Sequence, residues 1–543
     1  MSATSDLERS ANRWDEWSHG APEAGVGVTV TALVQPATFY GANGIAFGPD
    51  GRLYVAQAFG NRVSAIDTTT GELETILPLG SPVVGPDDVV FDSEGAMFIT
   101  DTWGDQVFVR ETDGTLRVVG DNLPSANGLT VLDDRVFIAE WRPDGRIAEV
   151  YRDGRPPRIV LEGLDHPNGM APGPDGKLYY PAVAPGEVWR VDPEGGAPER
   201  VLDGLVFPCA VKFDPQGRMV VVCNGDGRIV QMDVATGASE IRVELPPGLD
   251  NLAFDADGRL FVSWTIDGRV SEILADGSER VLVDRGFIWP NDVAAVPSGI
   301  YACDGVSIVR LLGDNRLDRC GIASNPTFPG VVRGLAPHHD GRLIVTSIFG
   351  AVALYDPAQN ATEFFAADLV DPTGVAPRGS GCAVAETGTG RLLQIELDGT
   401  TSVLLKGLGR PTGVAVSTET GRTYVSDSGN ARIVGHARGE DDEILTGFAE
   451  PQGLAVDGDD LFVLDVGRRE LVGVSLSSGD RTTLATNLPV GVPDAVSRPT
   501  SGAPATFMMT HLVKPFAGLA IADDGSILVA ANGDGTVLSI SRS

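Results

Sequence analysis

A short pattern returns twelve times along this chain, at a near-constant interval. Each copy opens on a small or polar residue, often Asn-Gly. An apolar strand follows, then a Pro/Asp-Gly turn and a second apolar strand. The clearest copies are NGIAFGPDGRLYVA from Asn43, NGMAPGPDGKLYYPA from Asn168 and DNLAFDADGRLFVS from Asp250. The copies beginning at Gly334 and Gly518 keep the same plan. The opening residue falls at Asn43, Asp87, Asn127, Asn168, Cys209, Asp250, Asn291, Arg333, Thr373, Thr412, Gln452 and Ala517. The steps are 39 to 44 residues, with one final step of 65. Self-similarity at such a period marks a repeat architecture.

Each unit reads as a four-stranded antiparallel meander. In the first, GIAF and RLYVA are joined by a turn at Pro49-Asp50-Gly51, and NRVSAID and ELETIL follow. Short apolar runs bounded by Gly, Asp and Pro are strand signals. The chain's 68 Gly and 36 Pro would not be tolerated in helices of apolar spacing three and four. Four strands in about 40–45 residues is the spacing of a β-propeller blade, and propellers close with about four to eight blades.

The reading is therefore an all-β protein of two six-bladed propellers in tandem, residues 40–285 and 286–543. The segment GVGVTVTALVQ from Gly25 is an orphan outer strand, so residues 25–39 are expected to complete the last blade. Residues 1–24 are left as a tail, and 486–516 as a long insert, either a surface excursion or a lid.

With 41 Lys and Arg against 74 Asp and Glu, the net charge is −33. That balance disfavours nucleic acid and anionic membranes, which need a basic footprint. No stretch reaches the roughly 18 apolar residues of a membrane span, and MSATSDLERSANRWDEW lacks a signal's apolar run. The expectation is a cytoplasmic protein. Five cysteines without a CxxC indicate neither a disulfide framework nor a zinc knuckle.

In a propeller the first strands line the axis, so residues far apart in sequence converge at its mouth. The first six openings supply Asn43, Asp87, Asn127, Asn168, Cys209 and Asp250, with Asp88 and Asn251 beside them. The ends of the second strands add Gln57, Asp101, Glu140 and Asn224, and Trp103, Trp141 and Trp264 lie near. Carboxylates and amides suit a hard divalent cation. The near absence of His disfavours zinc, copper and non-haem iron. The competing reading is structural, because Asn and Asp before a strand also bond their own backbone. The last six openings are poorer in carboxylates. They read as an accessory ring, or as a separate pocket with Arg333 as anion anchor, joined by His511 or Lys514.

The units from Asn43 and Asn168 resemble those of the senescence-marker-protein/gluconolactonase family, and also NHL-type repeats. The resemblance implies a six-bladed propeller with a divalent metal at the channel mouth. In that family the metal is held by a Glu, an Asn opening an NG-x-PDG-LY unit, and an Asp opening a later unit. It also implies hydrolysis of lactones or related esters, with the metal-bound Asp as base. The Asn carries over to Asn168 or Asn43, and the Asp to Asp87. The unit after Asn168 opens on Cys209 instead, the family's Glu has no counterpart, and Glu140 stands in a different strand position.

These strands of reasoning converge on a metal-dependent hydrolase of the lactonase or esterase type. Asn43, Asp87, Asn127 and Asn168 are the candidate ligands of Ca2+ or Mg2+. Asp101, Glu140 or Asp250 would activate water. Trp103, Trp141 and Trp264, with Gln57 and Asn224, would hold a small cyclic or aromatic substrate. Two alternatives stand beside it: a lyase or isomerase using the same metal site, and a non-catalytic double-propeller scaffold for a protein partner.

Overall fold

In the computed structural model, residues 21–323, 325, 327–438, 442–492 and 515–542 are described. The tail to residue 20, most of the long insert, His511 and Lys514 lie outside them.

The turn chemistry explains why the repeat repeats. In PDGRLY, Gly51 takes φ +78°, a conformation open to glycine. The Asp50 carboxylate accepts from the Arg52 backbone N–H at 3.1 Å and from the Tyr54 hydroxyl at 3.1 Å. Asp175 repeats this with Lys177 N–H at 3.2 Å and Tyr179 at 3.0 Å. The turn sets the register Ile45↔Val55, and the next strands follow with Leu53↔Ile66 and Val63↔Leu77. Along this first sheet, Leu53–Gln57 is wholly buried and Leu73–Leu77 is mostly exposed.

Twelve such antiparallel sheets make up the described chain, all consistent with propeller blades. Eleven are built from four consecutive strands. The twelfth takes its outer strand from the other end of the chain: Val28–Val34 pairs antiparallel with Thr536–Arg542, Val30 opposite Ile540. The eleventh sheet carries a fifth strand, the two residues Glu23–Ala24, which pair with Thr486 and Ala485. The tail read as ending at residue 24 therefore ends in a sheet.

The chain divides into two compact units, residues 38–285, and residues 21–37 with 286–492 and 515–542. In the first, the strands Ile45–Phe47, Pro86–Phe91, Ala126–Leu132, Ala171–Pro172, Pro208–Phe213 and Leu249–Phe254 each neighbour the next, and the sixth neighbours the first. In the second, Pro290–Val296, Val332–Pro337, Pro372–Arg378, Pro411–Val416, Pro451–Asp457 and Leu519–Ile521 do the same.

The cores follow that order. Tyr54, Ala56 and Val63 of the first sheet pack on Val89, Ile99 and Phe108 of the second. Phe261 of the sixth packs on Ile45, Leu53 and Val55 of the first. Glycine after the opening residue permits the approach. A Cβ on Gly413 would lie 2.0 Å from the Gln452 carbonyl oxygen, and one on Gly374 2.3 Å from that of Thr412.

Candidate metal centre

Backbone and hydroxyl bonds tie several of the opening residues of residues 38–285 to neighbouring sheets. Gly44 N–H donates to the Asp87 carbonyl at 2.7 Å and Gly169 N–H to the Cys209 carbonyl at 3.0 Å. The Thr100 hydroxyl donates to the Asn127 carbonyl at 2.7 Å, and that of Ser263 to the Asn43 carbonyl at 2.6 Å. Side chains then meet across the ring. Asn43 Nδ2 donates to Asp87 Oδ1 at 3.4 Å. Asn43 and Asn127 are buried, and the amide oxygen of each has no hydrogen-bond partner. Asn168 is half-buried, and its Oδ1 accepts from Gly169 N–H at 2.7 Å.

The carboxylates crowd one another. Burial raises the Asp87 carboxyl well above its ordinary range, and Asp250 and then Asp88 raise it further. Asp250 is pushed up to about 7, by burial and then by Asp88. Burial also raises the Cys209 thiol, with Asp250 next in effect. Behind the ring, Asp88 accepts from Leu129 N–H at 2.9 Å and from Asn251 Nδ2 at 3.4 Å. Its carboxyl rises to about 6 through burial, opposed by Lys212.

Lys212, whose Nζ donates to the Met170 carbonyl at 3.1 Å, is a residue the sequence reading passed over. Its one signal was a lysine within the apolar strand Pro208–Phe213.

This donor set fits a hard cation. Buried polar groups are almost always partnered, and here two amide oxygens without partners stand with carboxylates that repel each other. A cation bonded to these oxygens would satisfy the amides and lower the carboxyl pKa values. Among the described residues, no group of three or more His, Cys, Asp and Glu side chains gathers to hold a metal. Amide oxygens must complete this set, which suits calcium or magnesium rather than zinc.

The second-strand ends serve a different purpose. Asp101 accepts from Val84 N–H and Gly104 N–H, both at 2.9 Å, and so fixes the loop before its own sheet. Glu140, fully buried, is paired with Arg146 and, at 3.2 Å, with Arg142. Asp304, Asp427 and Asp465 hold loop N–H groups in the same way. Gln57 donates to Ser64 Oγ at 2.9 Å and Asn224 to the Leu249 carbonyl at 2.9 Å. All four candidates at these positions are engaged in holding loops and strands.

The tryptophans separate too. Trp264 is fully buried, donates to the Pro246 carbonyl at 3.0 Å and has the Arg269 guanidinium 3.8 Å above its ring. That places it in the core between the fifth and sixth sheets. Trp103 lies against Gly85, and Trp141 meets the His166 ring edge-on at 5.7 Å. The indole N–H groups of Trp103 and Trp141 are buried without acceptors.

No family model matches the chain. Over 179 residues it is 28% identical to a gluconolactonase from Zymomonas mobilis, a match spanning 31% of this chain and 42% of that relative. The match thus covers less than half of the relative's own length.

Two solved structures are also similar. Virginiamycin B lyase from Staphylococcus aureus is 15% identical, with a TM-score of 0.38 over 54% of this chain and 98% of that one. A calcium-binding protein, regucalcin, from Agrobacterium tumefaciens is 19% identical, with a TM-score of 0.35 over 42% and 84%. Among the described residues, no helix is long and apolar enough to cross a membrane.

Proposed function

We propose that this chain is a divalent-metal-dependent hydrolase of a small cyclic or aromatic ester, lactones first among them. Its centre would be the mouth of the first of two six-bladed propellers, residues 40–285, with the second at 286–543. The observation that carries the reading is the buried, unpartnered amide oxygen on each of Asn43 and Asn127, with Asn43 bonded to Asp87 and Asp87 crowded by Asp250. The similarity to a gluconolactonase supports the substrate class.

Asn43, Asp87 and Asn127 would hold Ca2+ or Mg2+, with Asn168 as a further donor. When bound, the ion polarises the ester carbonyl and stabilises the negative charge that develops on its oxygen. Asp250 would take the proton of the attacking water at a carboxylate oxygen. Burial and Asp88 hold its carboxyl at about 7 without the cation, and the bound cation would bring it down so that it is ionised and able to accept a proton at neutral pH. Asp101 and Glu140 act as positioning residues through the loops and arginines they hold. Trp103 and Trp141 would flank the substrate and exclude bulk water.

The test is calorimetric titration of the metal-stripped full chain with Ca2+ and Mg2+, alongside hydrolysis of lactones and aryl esters. One ion should bind per chain. Asp87→Asn should weaken that binding at least tenfold while leaving the circular dichroism spectrum intact, since removing a charged partner costs about 1.5–3 kcal/mol. A chain that binds neither ion and hydrolyses neither substrate class would leave the binding scaffold as the better reading.

A further inference from the structure

The opening residues of the second unit offer a ligand little room. All six are 5% exposed or less, and Arg333 is paired with Asp371 at 2.7 Å. The opposite end of the same sheets is open. Residues 290–322 and 332–366 form neighbouring sheets, and a cavity of about 620 Å³ lies between them where their first turns meet. On one wall stand Arg310 and Asp318, from the strands Ser307–Gly313 and Arg316–Ile322. On the other stand His339, Asp340 and Arg342 of the first turn and Asp356 at the end of the third strand. The side chains of Arg310, Asp318, Asp340 and Arg342 are 29–45% exposed, and His339 is exposed, so a ligand can reach them.

The charges on each wall are already matched. Arg310 Nη2 donates to Asp318 Oδ2 at 2.9 Å, and Arg342 Nε to Asp340 Oδ2 at 2.8 Å. Two arginines against three aspartates leave one negative charge in excess.

Hydrogen-bonding capacity nevertheless remains on both walls. Asp356 gives Oδ1 to the N–H groups of Ala358 and Gln359, at 2.9 and 3.2 Å, which leaves Oδ2. Asp318 likewise keeps Oδ1. A guanidinium has several N–H donors; Arg342 spends Nε on Asp340 and Nη1 on Glu363, the latter at 2.9 Å, and keeps Nη2. His339 is set by a relay. Asp340 Oδ1 accepts from His338 Nδ1 at 2.7 Å, so the neutral His338 ring offers Nε2 to His339 Nδ1–H at 3.0 Å. His339 Nε2 is then the ring nitrogen with the lone pair.

An anion would meet the excess negative charge, and a cation would meet two guanidinium groups. An apolar ligand would cover donors and acceptors and leave them unpartnered. A hydroxyl both donates and accepts. A polyol therefore meets the aspartates and the imidazole with its protons and the guanidinium with its oxygens. Pro297 and Pro357 line the same space and suit the C–H faces of a sugar ring.

We propose that this cavity binds a neutral sugar, a mono- or disaccharide. Asp318, Asp356 and His339 would accept from its hydroxyls, and Arg342 would donate to a hydroxyl oxygen without leaving Asp340. The site belongs to the second unit and stands independently of the hydrolytic reading of the first.

The probes are D-glucose, D-galactose and maltose, with inorganic phosphate and putrescine as charged contrasts, added to the full chain. At least one neutral sugar, in tenfold excess over its Kd, should raise the melting transition of residues 286–542 by about 3–5 °C, since it binds only the folded form. The transition of residues 38–285 should stay in place. Ala358→Trp puts a ring into the cavity while its N–H can still serve Asp356. It should weaken the sugar about tenfold or more and leave the circular dichroism spectrum unchanged. Asp356→Asn keeps the oxygen that holds the turn but makes Oδ2 a donor, and should weaken the sugar about fivefold or more. That variant keeps the test open if the tryptophan variant fails to fold. No shift with any of the three sugars at tens of millimolar, a shift with phosphate or putrescine instead, a sugar-induced shift confined to residues 38–285, or sugar binding untouched by both variants would each overturn the proposal.

Discussion

A carboxyl held at about 7, as Asp250 is by burial and by Asp88, makes a sharp kinetic statement. A general base works only when ionised, so kcat/KM of the proposed hydrolysis should rise with pH and level off once Asp250 is ionised, at a pH below about 7 because the bound cation lowers its carboxyl. Asp250→Asn should lower kcat by about 10²–10⁴-fold and flatten the rising limb, while weakening the cation less than Asp87→Asn does. A pH–rate profile of the two variants decides it. Glu140 makes the contrasting case. Its removal strands Arg142 and Arg146, so Glu140→Ala should cost about 1–3 kcal/mol in urea unfolding and leave Ca2+ affinity unchanged. Sequence register brought Asp87, Asp101, Glu140 and Asp250 to one neighbourhood but could not rank them. What separates them is whose N–H each carboxylate accepts: Asp101 is held by loop backbone, whereas Asp87 meets Asn43 and other carboxylates. Trp264 escaped for the same reason, since a period places a residue along a strand without saying which side of the loop its ring will fill.

Strands were far more legible than sites. Alternation, Asp-Gly turns and a constant period are local and repeated, so twelve noisy copies reinforce one another. The two-residue strand Glu23–Ala24 carries no such signal, because its pairing partner lies more than 450 residues away. The glycines divide into two kinds that the sequence writes identically. Gly51 has a positive φ with nothing within 4 Å of an added Cβ, whereas a Cβ on Gly413 would meet the Gln452 carbonyl oxygen at 2.0 Å. Gly51→Ala should therefore cost only the strain of a left-handed backbone, about 1 kcal/mol. Gly413→Ala forces two inner strands apart and should cost at least about 2–3 kcal/mol. Denaturant midpoints of the two single variants, read with the slope held constant, give the comparison.

The two units close in different ways. In residues 38–285 every sheet is made of consecutive strands, and closure rests on packing between the sixth and first sheets. In the other unit the last sheet is assembled from both ends of the chain. Val28–Val34 supplies its outer strand, Val28, Val30 and Ala32 pack on the core around Leu464, Leu538 and Ile540, and Val34 packs with Phe287, Val293 and Val537. A chain beginning at Gln35 loses that ladder and exposes the edge Thr536–Arg542, along with the apolar surface the strand covered. Burying several aliphatic side chains is worth several kcal/mol. In a unit of this size each kcal/mol moves the melting temperature by about 2–4 °C. Calorimetry of the truncated chain should therefore show the transition of residues 286–542 shifted down by roughly 10 °C, while that of residues 38–285 stays in place. A synthetic peptide of residues 25–36 added in excess should restore the lost stability, since whatever binds only the folded form raises its melting point. An unshifted thermogram would mean that the last sheet is closed by something other than its N-terminal strand.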